Sequence, residues 1–257
     1  KTEIRFLSAN LRDSRTNELL FQPYKIIKRG ELSFGVIGIT SLLPDTSTKV
    51  IADDYIESGN KYINDLSSKT DVIIMLINTD RKSQKDLAEN FENSDFIITS
   101  GSTNMTRTNA PQKKDGPYMF SCGKQGKYLM VLEAIIENDK LPFVNISEHE
   151  KKIDNVKKRF DRLQKKDPNK ALEDIYKDQA NVLKLIDQYK LDLKTSEDAI
   201  SQAKNTVVFK TIGLNKKITD DPEILAFVNK SLSTCKALKP NVKDSKKTKI
   251  DHSGHNH

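Results

Sequence analysis

Hydrophobic residues along this chain follow two different periods. Up to about residue 147 they form short dense runs. Beyond it they recur at steps of three and four. Two dense runs stand out, Asp71-Val-Ile-Ile-Met-Leu-Ile-Asn-Thr-Asp80 and Asp95-Phe-Ile-Ile-Thr-Ser-Gly-Ser-Thr103. Each has an acid, then a wall of β-branched, aromatic or aliphatic residues, then a small polar tail. That pattern predicts buried parallel strands ending in loops at their carboxyl edge. The segment between them, near Ser83–Phe91, reads as a helix, so the stretch is a βαβ unit. In open α/β sheets ligands bind at the carboxyl edge. The tails Asn78-Thr79-Asp80 and Ser100-Gly101-Ser102-Thr103 are therefore the place to look for a site.

Earlier in the chain the pattern predicts a short strand at Phe6–Leu11 and a second at Phe21–Ile27. A turn at Arg29-Gly30 leads into a third, Leu32–Thr40. Gly35 and Gly38 within that run point to close packing of backbone against a neighbour. A helix is expected around Tyr55–Leu66, with Tyr55, Ile56, Tyr62, Ile63 and Leu66 on one face. After a polar loop from Asn104 to Gly116 come Tyr118–Gly123 and Tyr128–Ile136, two strands joined by Gly123-Lys-Gln-Gly126. Asn138-Asp139 turns the chain into Leu141–Ile146.

From residue 148 the period is helical. Ile153, Val156, Phe160 and Leu163 mark one helix. Asp167-Pro168 reads as the cap and first turn of another. The stripe Leu172, Ile175, Gln179, Val182, Ile186, Tyr189 and Leu193 keeps a coiled-coil spacing, with Gln179 its one polar member. A single helix running towards Ala203 would be on the order of 40–50 Å long. Two helices joined by a short turn read as an antiparallel hairpin. The stripe either closes on the partner helix or docks another chain. Asn205–Gly213 returns to strand pattern, Asp220-Asp-Pro-Glu223 caps a last helix, and Asn241–His257 is a Lys-rich, aperiodic tail expected to be disordered. The expected division is an α/β domain over 1–147, a helical hairpin over 148–204, a strand and helix packed on the α/β domain over 205–240, and a tail over 241–257.

Composition narrows the chemistry. The 257 residues are 36% hydrophobic and 31% charged, with a net charge of +7. The lysines are interleaved with acids along helices, so the charge reads as solvated surface. No aromatic-interleaved basic patch or zinc knuckle points to nucleic acid. No apolar run reaches membrane-spanning length, and Lys1-Thr-Glu-Ile-Arg5 is not a signal peptide. The chain is then either cytosolic or the mature or truncated form of an exported protein. Cys122 and Cys235 read as buried small residues, with one disulfide as the alternative. His149, in Ser-Glu-His-Glu, reads as a surface residue. His252, His255 and His257 could trap a transition metal loosely, but nothing around them would position a substrate. No Gly-x-Gly-x-x-Gly or Walker-type loop is present. No cofactor is expected.

Taken in order, Phe6–Asn10, Phe21–Tyr24, Gly35–Thr40, Asp71–Leu76, Asp95–Ile98 and Gly123–Leu129 resemble the calcineurin-like metallophosphoesterases of the 5′-nucleotidase branch. The resemblance covers about residues 5 to 136. The strand at Asn205–Phe209 and the helix at Asp220–Glu223 look like a C-terminal extension found in exported members. The resemblance implies a two-sheet α/β sandwich, here incomplete at its N-terminus and carrying an inserted helical hairpin. It also implies a dinuclear metal site that cleaves phosphate esters. At the metal-binding positions the match fails. The family's Leu-x-His-x-Gly histidine falls on Asn78, and its Gly-His-x-His pair falls on Gly101 and Thr103. These three positions therefore read as vestiges of a metal site.

The expectation that follows is a non-catalytic relative in the periplasm or another extracytoplasmic compartment. It would serve as an accessory, scaffolding or assembly subunit of a larger complex. Association, with partners or with itself, would run through Leu172, Ile175, Gln179, Val182, Ile186 and Tyr189. One alternative is a phosphohydrolase with two divalent metals whose ligands lie largely in a preceding part. Another is a module that binds a nucleotide or small polar ligand through Asn78, Ser100, Ser102 and Thr103.

Overall fold

The computed structural model describes residues 6–107, 110, 112, 116–138 and 141–237. Part of the loop before Pro117, Asp139 of the expected turn, and the tail with His252, His255 and His257 lie outside the described residues. Contacts group the chain into two units, Lys1–Leu214 and Asn215–His257.

The first unit is mixed α/β with three sheets. A five-stranded sheet contains β2 (Tyr24–Arg29), β3 (Leu32–Thr40), β5 (Val72–Asn78), β6 (Phe96–Ser100) and β7 (Tyr118–Ser121), in that spatial order. β2 is antiparallel to β3, and the other pairs are parallel. The turn between β2 and β3 is Gly30-Glu31, with Gly30 at φ +59°. A two-stranded ribbon pairs β1 (Leu11–Asp13) with β4 (Val50–Ala52). The third sheet has β10 (Asn205–Gly213) at its centre, antiparallel to β8 (Tyr128–Ile135) and parallel to β9 (Phe143–Asn145).

The alternation of side chains in β5 builds both cores. Ile73, Met75 and Ile77 face α1 (Tyr55–Leu66) and α2 (Leu87–Asn90), where Ile63, Leu66, Leu87 and Phe91 complete a buried cluster. Tyr55, Ile56 and Tyr62 pack on its rim, as the helical spacing predicts. Val72 faces the other way, joining Phe96, Phe120, Val207 and Phe209 between the five-stranded and three-stranded sheets. Phe120 stacks on Phe209 with ring centroids 4.6 Å apart. Each such side chain contributes roughly 1.5–3 kcal/mol by leaving water. Gly38 meets the backbone of Leu7 where a Cβ would stand, which accounts for the glycine in that strand.

The acids that open the two dense runs have a structural job. Asp71 accepts from the amide and hydroxyl of Ser33 at 2.6 and 2.7 Å. Asp95 accepts from the amide of Ile73 at 2.7 Å. Each clasps the start of one strand to its neighbour.

The helical region departs from expectation. α3 (Ile146–Gln164) forms as predicted and starts on the side chain of Asn145, which accepts from the Glu148 amide. The second helix is not continuous. α4 (Leu172–Ile175) is a single turn, and the helix resumes as α5 (Ala180–Gln202), whose 23 residues span about 35 Å. Asp167 caps no long helix; its carboxylate accepts from the Asn169 amide in a turn. The break follows from Tyr176, which is buried and donates its hydroxyl to the Leu163 carbonyl. That contact holds the chain in a turn ending at Gln179, which is exposed and sits just before α5 rather than in a seam. α3 and α5 pack through Phe160 and Tyr189, with Val156 and Ile186 also buried.

Two further expectations are corrected. Cys122 and Cys235 are exposed free thiols, not buried residues. Cys122 follows the last residue of β7 and forms an isolated antiparallel bridge with Met105. His149 is not a free surface residue, since it is half-buried with its Nδ1 wholly enclosed.

The second unit contains α6 (Pro222–Ala237), capped by Asp221, which accepts from the amides of Glu223 and Ile224 at 3.0 Å each. None of its residues is buried. β10 belongs to the first unit.

Candidate functional site

The carboxyl edge of the five-stranded sheet brings the two polar tails side by side. Asn78 of β5 is the register partner of Ser100 in β6, and the Thr79 amide donates to the Ser100 carbonyl at 3.0 Å. On the other flank, the Ser41 amide donates to the Asn78 carbonyl at 2.9 Å. Asn10, fully buried, secures the end of β3 by donating to the carbonyls of Thr40 and Asp53 and accepting from the Thr40 amide.

The side chains at this edge bond largely to one another. Asn78 donates to the Ser100 hydroxyl at 3.1 Å. Ser102 donates to Gln84 Oε1 at 3.0 Å, and Asn104 reaches the same oxygen at 3.4 Å. Asp80 accepts from the amides of Lys82 and Ser83 and from the Ser83 hydroxyl. Those bonds to its charged form hold its carboxyl below the usual range. The same bonds brace the turn that leads into the 3-10 helix at Ser83–Asp86. Thr103 is exposed. Thr79 of the first tail and Gln84, which the residue pattern did not single out, are both buried here; Thr79 shares a 2.6 Å hydroxyl contact with Ser41. Gln84 lies outside both tails, in the short helix after β5, and no local signal marks it.

Gly101 decides what the edge can hold. Its φ is +88°, a left-handed conformation that favours glycine. A Cβ there would stand 2.6 Å from the Thr79 carbonyl oxygen and 2.9 Å from the Leu42 side chain. No side chain fits at 101 without rebuilding the loop. Position 78 offers an amide and position 103 a hydroxyl. Two divalent ions need several imidazole and carboxylate ligands, so these residues do not fit a dinuclear centre. Among the described residues no group of three or more His, Cys, Asp or Glu is placed to hold a metal ion.

The predicted association stripe is largely spent inside the chain. Ile186 is fully buried and Tyr189 nearly so, in the seam with α3. Leu172, Ile175 and Val182 are half-buried, and Gln179 is exposed. The large apolar residues that α5 turns outward are Leu185 and Leu191.

No family model matches this chain, and no curated protein matches it. Among solved structures it is similar to the sulfate thiohydrolase SoxB of Thermus thermophilus, with 18% identity and a TM-score of 0.45, over 50% of this chain and 25% of that one. A 5′-nucleotidase precursor from the same organism gives 21% identity and a TM-score of 0.44, over 53% and 31%. A 5′-nucleotidase from Candida albicans gives 12% and 0.34, over 49% and 26%. The chain spans about a quarter to a third of the length of these proteins.

Proposed function

We propose that this chain is a non-catalytic member of the 5′-nucleotidase-like metallophosphoesterases that acts by protein association, as an accessory or assembly subunit of an extracytoplasmic complex. The observation that carries the reading is Gly101. A loop that has closed around a glycine in a left-handed conformation, against the backbone of Thr79, is built to stay shut and not to present a metal ligand. Beside it Asn78 is bonded to Ser100, and Ser102 and Asn104 to Gln84 Oε1, while Gln84 Nε2 is buried with no hydrogen-bond partner among the described residues.

The association surface in this reading is the outward side of the helical hairpin formed by α3 and α5, together with the outer face of the three-stranded sheet. On α5 it offers Leu185 and Leu191, and on the sheet Leu129 and Ile212, which are register partners and both exposed. Ile135 extends the same face. Exposed apolar side chains gathered on one sheet face mark surfaces that other chains cover. No helix among the described residues is long and apolar enough to cross a membrane.

Purification from the native source tests the proposal. A partner that co-elutes at stoichiometric yield, and is lost when Leu129 and Ile212 are both changed to Asp, is the expected result. A lone monomer at physiological concentration overturns it. So does turnover of a generic phosphodiester that depends on two tightly bound metal ions.

A further inference from the structure

The apolar face of α6 is open to solvent along its whole length. Ile224, Leu225, Phe227, Val228 and Leu232 are each between 41% and 69% exposed. Their spacing places all five on one side of the helix. Cys235, also exposed, falls on the same side. The other long helices differ: α1 buries Ile63 and Leu66, α3 buries Val156, and α5 buries Ile186. A helix of 16 residues is marginal alone in water and draws its stability from packing an apolar face. Such a face calls for a cover.

The charges that border the face indicate what that cover is. Acids stand at the start of α6, at Asp221 and Glu223, and lysines in its second half, at Lys230 and Lys236. Asp221 and Lys236 flank the Leu225–Leu232 side of the face, and Glu223 and Lys230 flank the Phe227 side. Among the described residues none of the four forms an ion pair, and Asp221 uses only Oδ1 for its cap. Glu223 and Lys230 are two turns apart and do not pair within one helix. Two copies of α6 laid parallel would set acid on acid and lysine on lysine, which repels. Laid antiparallel about an axis at Val228, the same surfaces match. Ile224 then meets the partner's Leu232, Glu223 the partner's Lys230 and Asp221 the partner's Lys236.

We propose that α6 is a self-association helix: it pairs antiparallel with α6 of a second copy of this chain, apolar face to apolar face, with both lysines matched to acids across the pair. Two single helices bury less than a standard interface of about 1,600 Å². The dimer is accordingly weak, with a dissociation constant on the order of 100 µM. This surface is distinct from the one on α3, α5 and the three-stranded sheet, and it takes a copy of the same chain.

Sedimentation equilibrium of the full chain under reducing conditions, from about 10 to 500 µM, tests it and is expected to show a monomer–dimer equilibrium. Val228→Asp sets two carboxylates at the axis and should weaken the dimer at least about tenfold. Lys230→Glu should weaken it about threefold or more, and adding Glu223→Lys should restore it, because the exchanged charges meet only across the pair. Orientation is read with a short bismaleimide in a Cys122→Ser background. The two Cys235 thiols lie about 20 Å apart in the antiparallel pair and stay unlinked. Val228→Cys, with Cys235→Ser added, is expected to link the dimer. Should Val228→Asp lose helix by circular dichroism, the charge exchange and the crosslinks decide the matter. A monomer throughout the range, an undiminished dimer in folded Val228→Asp, or linkage at Cys235 as efficient as at position 228 would each overturn the proposal. Binding to phosphatidylglycerol vesicles that needs Val228, by a chain that stays monomeric, would assign the face to a lipid surface and overturn it too. Leu129→Asp/Ile212→Asp should leave this dimer intact, so its loss and the loss of a co-eluting partner are separate outcomes.

Discussion

The two edges of the five-stranded sheet are built from the same strands and solve opposite problems. At the carboxyl edge Asn78 pairs with Ser100 and Ser102 with Gln84 Oε1, leaving Gln84 Nε2 without a partner among the described residues, and Gly101 seals the loop against Thr79. At the amino edge Asp71 and Asp95 clasp strand starts, and beyond Asp95 lies a recess beside which His149 Nδ1 is enclosed with no hydrogen-bond partner among the described residues. Polar residues at a strand end therefore do not by themselves mark a binding site. What matters is whether their hydrogen bonds are already made within the chain.

Substitutions at the two edges can break that contrast. Gly101→His should have the largest effect, a loss of about 2–4 kcal/mol in chemical denaturation, because it combines a left-handed backbone with a steric collision. If Asn78→His/Gly101→His instead folds normally and retains zinc through gel filtration, the closed-edge description fails. Asp71→Ala removes the acceptor for the Ser33 amide and hydroxyl and should cost about 1 kcal/mol. Those bonds hold the Asp71 carboxyl below its ordinary 3.8. Its contribution is therefore present above pH 3.8 and is lost as pH falls through the lower folded value. Equal stability of Asp71→Ala and the parent at pH 7 would remove the clasp.

His149→Gln addresses the recess itself. The imidazole in the folded chain protonates below its ordinary 6.5, mainly because burial disfavours the charge. The unfolded chain takes up this proton first, so stability falls as pH drops below 6.5. Melting temperatures between pH 7.5 and 5.5 should decline more steeply for the parent than for His149→Gln; parallel slopes would mean that the imidazole is solvated. The smallest effect belongs to Asn78→Ala. It breaks one exposed side-chain bond, and unfolding should shift by no more than about 0.5 kcal/mol.

Much of this architecture is legible in the residues, but unevenly. The runs at Asp71 and Asp95 announce β5 and β6, because a strand covered on both faces has to be apolar throughout. Tyr55–Leu66 carries its helical face openly, and the structure forms that helix with the predicted bounds. Other features depend on distant partners. β7 and β8 are joined by the short Gly123–Gly126 segment, yet they enter different sheets. The strand that claims β8 is β10, which arrives some seventy residues later. Val50–Ala52 is too short to show a period. The interruption at Gln179 is set by Tyr176 reaching Leu163, not by a helix-breaking residue. The closed loop at Gly101 could be suspected from a glycine among small polar residues, but its collision with Thr79 is purely tertiary. The recess draws on Asp95, Phe143, His149 and Ala199, residues over a hundred positions apart, and no local pattern connects them.

The central place of β10 has a consequence for how the chain acquires its structure. Its neighbours β8 and β9 pair with it and not with each other. They must wait while α3, α4 and α5 are synthesised before the strand between them exists. Until then Val72, Phe96 and Phe120 have no opposing layer from Val207 and Phe209. Closing a sheet around its latest strand is a long-range step with a high entropic threshold, and such steps are slow. Ser147 meets β10 at the moment of arrival, donating to the Phe209 carbonyl and accepting its amide at 2.8 Å. A nascent chain stopped before residue 205 has a half-covered hydrophobic layer, which makes this interval in synthesis the one most exposed to misassociation.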